Sequence, residues 1–191
     1  PGDPGPPGGD TSGVVCEAGS TSGRVVGDPV FGLGHAPLAR LARAATELIA
    51  RKPKTLSHEQ ASTLPVTWST THAALERSSL QAGQHLVIQA VAGGVGLKAL
   101  GYAQWLCAGV VGTAGGRHKH QQLRCLEVWS LCSSRDARSF MCGAAHLACG
   151  RRSDVVLNSL SADWIAASFA LLREGGSFAE IGKRSIWASD R

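Results

Sequence analysis

His85-Leu86-Val87-Ile88-Gln89-Ala90-Val91-Ala92-Gly93-Gly94-Val95-Gly96 is an apolar run that ends in three closely spaced glycines. His85 to Ala90 has the length and composition of a strand buried on both faces of a parallel sheet. A helix is expected to follow, from Gly94 to about Leu106. A dinucleotide pyrophosphate needs this arrangement: a tight turn, a bare backbone and a helix N-terminus with free N–H groups facing the anion. A lone glycine cluster carries little information, but here the flanking strand and helix meet the structural condition. The competing reading is an ordinary strand–helix turn, since glycine supplies 24 of the 191 residues.

Downstream the pattern alternates. Strands are expected over 109–114, near 128–132, over 154–158 and over 176–181. Helices are expected through 118–126, around 137–148 and over 164–172. This spacing implies right-handed crossovers and a parallel, doubly wound α/β sheet. Upstream the chain differs in kind. Residues 1–10 read as a Pro/Gly entry loop. Residues 12–15 and 25–33 read as short strands, with Gly27-Asp28-Pro29-Val30 carrying a turn. Alanine and leucine over 37–50 predict a helix, with short strands as the alternative. Ser57-His58-Glu59-Gln60 has the spacing of a capping box; Pro65 interrupts that helix and a second runs through 71–77. A boundary is placed near residue 56.

The composition narrows the class. Hydrophobic residues make up 43% and charged residues 17%, as in an ordinary globular protein. No run approaches the roughly eighteen apolar residues needed to span a bilayer. The first residues have neither the basic nor the apolar region of a signal peptide. The net charge is +5, but the cations form no stripe with interleaved aromatics, so neither a nucleic-acid nor a membrane partner is expected. Scattered cations suit a small anionic ligand better. The six cysteines, Cys16, Cys107, Cys125, Cys132, Cys142 and Cys149, form no C-x-x-C pair and read as buried, reduced thiols. His118 and His120 resemble half a metal site, but a solvated basic turn is the better reading; no metal is expected.

The next strand bears on the type of dinucleotide. An NAD site places Asp or Glu at the end of the second strand to hold the ribose diol. No acidic residue occurs from Leu97 through Leu126, and the strand ends Thr113-Ala114-Gly115-Gly116-Arg117-His118-Lys119. Cations in that position favour a 2′-phosphate, and so NADP(H) over NAD(H).

Several further strings, in this order, cover nearly the whole chain: PGDPGP, SGVV, VGDPVFGL, LSHEQASTLPVTWSTTHAAL, QAGQHLVIQAVAGGVG, SSRD, SDVVLNSLS and REGGSFAEIGKR. Together they resemble the enoyl reductase domain of type I polyketide and fatty acid synthases, a zinc-independent branch of the medium-chain dehydrogenase/reductase superfamily. Polyketide synthase is the nearer parent, on PGDPGP and EIGKR. The resemblance implies a Rossmann-type doubly wound sheet over 57–191, preceded by a partial, β-rich GroES-like substrate domain over 1–56. It implies NADPH as cofactor, an enoyl thioester on an acyl carrier protein as substrate, neighbouring synthase domains in the same polypeptide, and a cytoplasmic location. By position, Ala92, Gly93, Gly94, Val95 and Gly96 would hold the pyrophosphate, and Thr70 would lie beside the nicotinamide ribose-phosphate. Lys119 would pair with the 2′-phosphate, with Thr113 and Gly115 beside it at the strand end. Asn158, Ser159, Leu160 and Gly182 would line the nicotinamide side, and Lys183 would protonate the substrate after hydride arrives.

The sequence also departs from that pattern. His72 stands where a tyrosine is common, and Glu127 where a glycine is frequent. The chain starts just after the place of a tyrosine linked to α-carbon stereochemistry and stops soon after EIGKR, so an incomplete sheet and substrate pocket are expected. A stand-alone quinone reductase and a non-catalytic remnant within a megasynthase are the alternatives.

Overall fold

The computed structural model describes residues 8–35, 38–147, 150–160 and 163–182. Residues 1–7 of the entry loop expected over 1–10, together with Cys149 and Lys183, fall outside them. Two compact units divide the chain, Pro1–Ser69 and Thr70–Arg191.

The first unit is a three-stranded antiparallel sheet, β1 (Asp10–Val14), β2 (Pro29–Leu33) and β3 (Ile49–Arg51), in that spatial order. Over the described residues 38–50 the predicted helix is not formed; the alternative of short strands separated by bends is found instead. A single 3-10 turn, Thr46–Leu48, precedes β3, which pairs Val30 with Arg51, Phe31 with Ala50 and Gly32 with Ile49. Pairing with β2 outweighs the alanine and leucine propensity, a weak preference that tertiary contacts often override. The capping box forms as expected at the start of α1 (His58–Ala61): Gln60 N donates to Ser57 Oγ at 3.1 Å, and Ser57 N to Gln60 Oε1 at 3.0 Å. Ser12 Oγ lies 2.8 Å from His58 Nδ1, tying this helix to β1. That contact helps to explain why the division falls at Ser69/Thr70 rather than near residue 56. It lies inside α2 (Pro65–Arg77), which starts on proline because a first-turn residue needs no N–H donor.

The second unit is a parallel sheet of five strands. In chain order these are β4 (His85–Ile88), β5 (Gly109–Ala114), β6 (Leu131–Ser133), β7 (Ser153–Asn158) and β8 (Leu172–Glu180). Their spatial order is β6-β5-β4-β7-β8, and every pairing is parallel. The connections are α3 (Gly94–Trp105), α4 (Arg117–Arg124), α5 (Ala137–Leu147) and α6 (Asp163–Leu171). The side-chain period of two sorts the strands between two cores. Leu86, Ile88, Val155 and Leu157 pack with Leu75, Ala99, Leu100 and Leu123 on one face. Val87, Val111 and Val156 pack with Phe140, Ala144 and Ala167 on the other. The sheet is therefore wound on both sides, as the alternation predicts. The chain leaves β4 towards β5 and later returns to place β7 on β4's other flank. That reversal makes the crevice at the carboxyl ends of β4 and β7 the place where such folds bind ligands.

Two local features differ from expectation. Cys16, Cys107, Cys125 and Cys142 are free but exposed, and among the described cysteines only Cys132 is buried. The absence of a C-x-x-C pair suggested buried, reduced thiols, but Cys107 and Cys125 sit in the exposed connections that follow α3 and α4. Burial pushes the Cys132 thiol up, away from the reactive thiolate. The second feature is Glu127, which has φ +61°. A left-handed backbone costs a side-chain-bearing residue about 1 kcal/mol, so glycine is the natural occupant here. Glu127→Gly is expected to raise Tm by about 2–4 °C, the shift that ~1 kcal/mol gives in a chain of this size. A thermal melt checks this, and an unchanged or lower Tm would count against backbone strain at the site.

Candidate functional site

The turn after β4 is built from the hydrogen bonds of its own backbone. Gln89 N donates to Leu157 O at 3.0 Å, Val91 N to Thr113 O at 2.9 Å, and Gly93 N to Ala90 O at 2.9 Å. Ala90 takes φ +53°, and its N–H reaches Thr113 Oγ1 at 2.9 Å. Gly93 is the N-cap of α3, and Leu97 N closes the first helical bond onto its carbonyl at 2.8 Å. Among the described residues nothing accepts from the N–H groups of Gly94, Val95 or Gly96. Gly93 and Gly94 are exposed, Ala92 and Val95 half-buried, and Gly96 buried. A Cβ on Gly96 would stand 2.6 Å from Ala90 O and 2.7 Å from Val91 Cα, so only glycine lets the helix pack this closely on the turn. The result is a bare, donor-rich rim at the switch point of the sheet.

At the end of β5, Thr113 is fully buried, and its hydroxyl is engaged by Ala90 N and by Gln89 Oε1, the latter at 2.9 Å. It shapes the turn from beneath. Gly116 caps α4, on whose first turn Arg117, His118 and Lys119 are all exposed. His120 Nε2 lies 2.9 Å from Ala114 O. A Cβ on Gly115 would meet Ser134 Oγ at 3.1 Å and Arg135 Nε at 3.6 Å. Arg135, in the turn after β6, therefore reaches the end of β5. Sequence reasoning used SSRD as a family marker and gave its arginine no role.

The ends of β7 and β8 are joined through one side chain. Asn158 is fully buried, and its Nδ2 donates to Leu160 O and to Glu180 Oε2, each at 2.7 Å. The other oxygen of Glu180 accepts from Gly182 N at 2.5 Å. Ser159 Oγ donates to Gln89 O at 3.2 Å. Asn158, Ser159, Leu160 and Gly182 thus meet at the carboxyl end of the sheet, beside the glycine turn. Glu180 was not anticipated, although its place in EIGKR was a signal. Lys183, next to Gly182 in sequence, is outside the described residues. Thr70 is half-buried on α2; its neighbour Thr71 makes the contact with α3's first turn, donating to Val95 O at 3.3 Å. His72 is exposed and 3.5 Å from Glu76. A broad depression of about 690 Å³, lined by Gln104, Cys107 and Cys125 among others, includes Gly109, the first residue of β5, and so lies at the opposite, amino end of the sheet. Among the described residues no cluster of three or more His, Cys, Asp or Glu could hold a metal ion. None of the described helices is long and apolar enough to cross a membrane.

Free N–H groups on a bare turn, with cations on the neighbouring turns and no carboxylate at the end of β5, suit a diphosphate ligand carrying a further phosphate. No family model matches the chain. The polyketide synthase protein NorB of the spectinabilin system of Streptomyces orinoci is 41% identical over 183 residues, which is 94% of this chain and 8% of that protein. The crystal structure of the CurK enoyl reductase matches with a TM-score of 0.86 and 34% identity, over 94% of this chain and 55% of that one. A further solved chain, assigned as an enoyl reductase domain of a polyketide synthase, is 33% identical with a TM-score of 0.59, over 64% of this chain and 70% of that one. The chain belongs to the polyketide synthase enoyl reductase family. Its fold is that of the medium-chain reductases, and the family reading drawn from SSRD, VVLNSL and EIGKR agrees with these relatives. A mycobacterial protein solved with NADPH shares the fold, with a TM-score of 0.85 and 25% identity over 93% of this chain and 57% of that one. The chain spans about 8% of the curated synthase NorB and about half of the solved enoyl reductase CurK.

Proposed function

We propose that this chain forms the NADPH-binding part of an enoyl reductase, acting in the cytoplasm on an enoyl thioester carried by an acyl carrier protein within a polyketide synthase. The observation that carries the reading is the glycine turn at the switch point, followed one strand later by cations and no carboxylate. Family membership and the NADPH held by the mycobacterial neighbour support it. The donor set fits the cofactor. The N–H groups of Gly94, Val95 and Gly96 would take the pyrophosphate, helped by the positive end of α3. Lys119 would meet the 2′-phosphate as a mobile cation on an exposed turn. Thr70, Asn158, Ser159, Leu160 and Gly182 would border the nicotinamide half. We read the three-stranded sheet as part of the substrate domain.

When bound, NADPH supplies the hydride that reduces the substrate's β-carbon. The protein's remaining task is to stabilise the charge that develops on the thioester and to deliver a proton to the α-carbon. Lys183 is the proposed donor. Glu180 and Asn158 lock the loop that leads to it, which would fix where that lysine starts.

The test begins with binding. In a fluorescence titration of this chain, NADPH is expected to bind at least ~10-fold more tightly than NADH, the preference that one added phosphate contact confers. The parent synthase, given a crotonyl thioester, is expected to oxidise NADPH. Equal affinity for the two cofactors would overturn the NADPH assignment; a folded, NADPH-saturated synthase that leaves the thioester unreduced would overturn the activity.

A further inference from the structure

The core beneath the glycine turn contains a chain of polar side chains where an apolar one would be expected. Gln89 follows β4 and is 2% exposed; Thr113 at the end of β5 and Ser168 in α6 are fully buried. Gln89 Nε2 donates to Ser168 Oγ at 3.0 Å, and Thr113 Oγ1 donates to Gln89 Oε1 at 2.9 Å. The Thr113 hydroxyl in turn accepts from Ala90 N at 2.9 Å. Ala90 N can only donate, so the Thr113 hydroxyl accepts from it; the single Thr113 proton points to Gln89 Oε1, and the Gln89 amide turns its NH₂ towards Ser168. Among the described residues, each buried side-chain nitrogen and oxygen of this network has a hydrogen-bond partner. Satisfied buried networks of this kind impose a unique arrangement rather than adding stability through apolar burial.

The chain ends on Ala90, which holds φ +53° without being glycine. Its carbonyl accepts from Gly93 N, and the same carbonyl is the atom against which Gly96 packs. The backbone of Gln89 is held as well, by Leu157 O and by Ser159 Oγ. Resting on the cofactor reading above, we propose that Gln89 is a positioning residue. Through Thr113 it holds Ala90 in the left-handed region, and so aims the N–H groups of Gly94 to Gly96 at the pyrophosphate. The relay links α6 and the ends of β4, β5 and β7 to the one turn that must stay rigid while an anion is bound. Left-handed backbone at a side-chain-bearing residue persists only where its surroundings over-determine it, and these bonds do so.

The test uses this chain with two probes, NADPH and adenosine 2′-monophosphate. The second carries the adenine and 2′-phosphate but nothing that reaches the glycine turn. Gln89→Met keeps the side chain's length and removes both hydrogen bonds. It is expected to weaken NADPH ~10-fold while leaving adenosine 2′-monophosphate within about twofold, the effect of misplacing one phosphate contact. Adding Ala90→Gly to Gln89→Met is expected to restore most of the NADPH affinity, because glycine adopts the left-handed turn unaided. Should Gln89→Met fail to fold, Thr113→Val breaks the relay at its last link and Thr113→Ser preserves it; only the first should lose NADPH. Unchanged NADPH affinity, equal loss of both probes, or no recovery with Ala90→Gly would overturn the relay and leave the cofactor reading standing. Failure of the wild-type chain to bind either probe would overturn the cofactor reading and the relay with it.

Discussion

Gly96→Ala is expected to abolish usable NADPH binding and to lower Tm by roughly 5–10 °C. The added Cβ would lie 2.6 Å from Ala90 O and 2.7 Å from both Val91 Cα and Val91 O. All three are backbone atoms, so no side-chain rotation relieves the contact. The turn that carries them is pinned by Val91 N to Thr113 O and by Gly93 N to Ala90 O, each at 2.9 Å. Relief therefore means either pushing α3 off the sheet or breaking these bonds. Overpacking costs about 1–3 kcal/mol and a broken turn hydrogen bond about 1 kcal/mol more, which gives the stated fall in a chain of this size. Either movement carries the N–H groups of Gly94 to Gly96 away from their common target. The loss of two such contacts weakens NADPH ~100-fold. Gly101 on the same helix supplies the control: nothing lies within 4 Å of its Cβ position, so Gly101→Ala should leave Tm equal or higher. A Gly96→Ala protein that melts with wild type would show that the helix does not depend on this approach.

The features legible in the sequence are those set by neighbours in sequence. Leu86, Val87 and Ile88 face alternate cores because a strand's side chains alternate, so a run apolar throughout announces burial on both sides. The Ser57–Gln60 box is closed within one turn of chain and could be read from two residues. What was hidden depends on pairing across the fold. Arg135 reaches Gly115 because β6 lies beside β5, with Thr113 opposite Cys132. Residues 37–50 look helical by content until Ile49 and Ala50 are claimed by β2. Gln89 lies within the apolar run His85 to Ala90; its partners Thr113 and Ser168 stand on other elements, and nothing local marks the three as one network. Glu127 shows the opposite case, since its departure from a frequent glycine was visible in the sequence but its left-handed backbone was not.

Removing Lys119 and Arg135 together is expected to erase the preference for NADPH over NADH. Both cations stand near the end of β5, Lys119 on the exposed first turn of α4 and Arg135 against Gly115. A charge-assisted hydrogen bond contributes about 1.5–3 kcal/mol when protected from water. Here both groups are exposed, and solvent screening brings each nearer 1.4 kcal/mol, or about tenfold in affinity. Lys119→Ala and Arg135→Ala should therefore each weaken NADPH ~10-fold, and the pair ~100-fold if the two act independently. NADH, which lacks the 2′-phosphate, should bind all four proteins within about twofold, which separates loss of a phosphate contact from damage to the fold. Salt gives a second reading of the same interaction. Because exposed charge pairs weaken with ionic strength, the wild-type preference should shrink as salt is raised, while the double variant, having none left, should be flat. If the double variant still prefers NADPH, the 2′-phosphate is recognised elsewhere, and the cations after β5 are no more than a solvated turn.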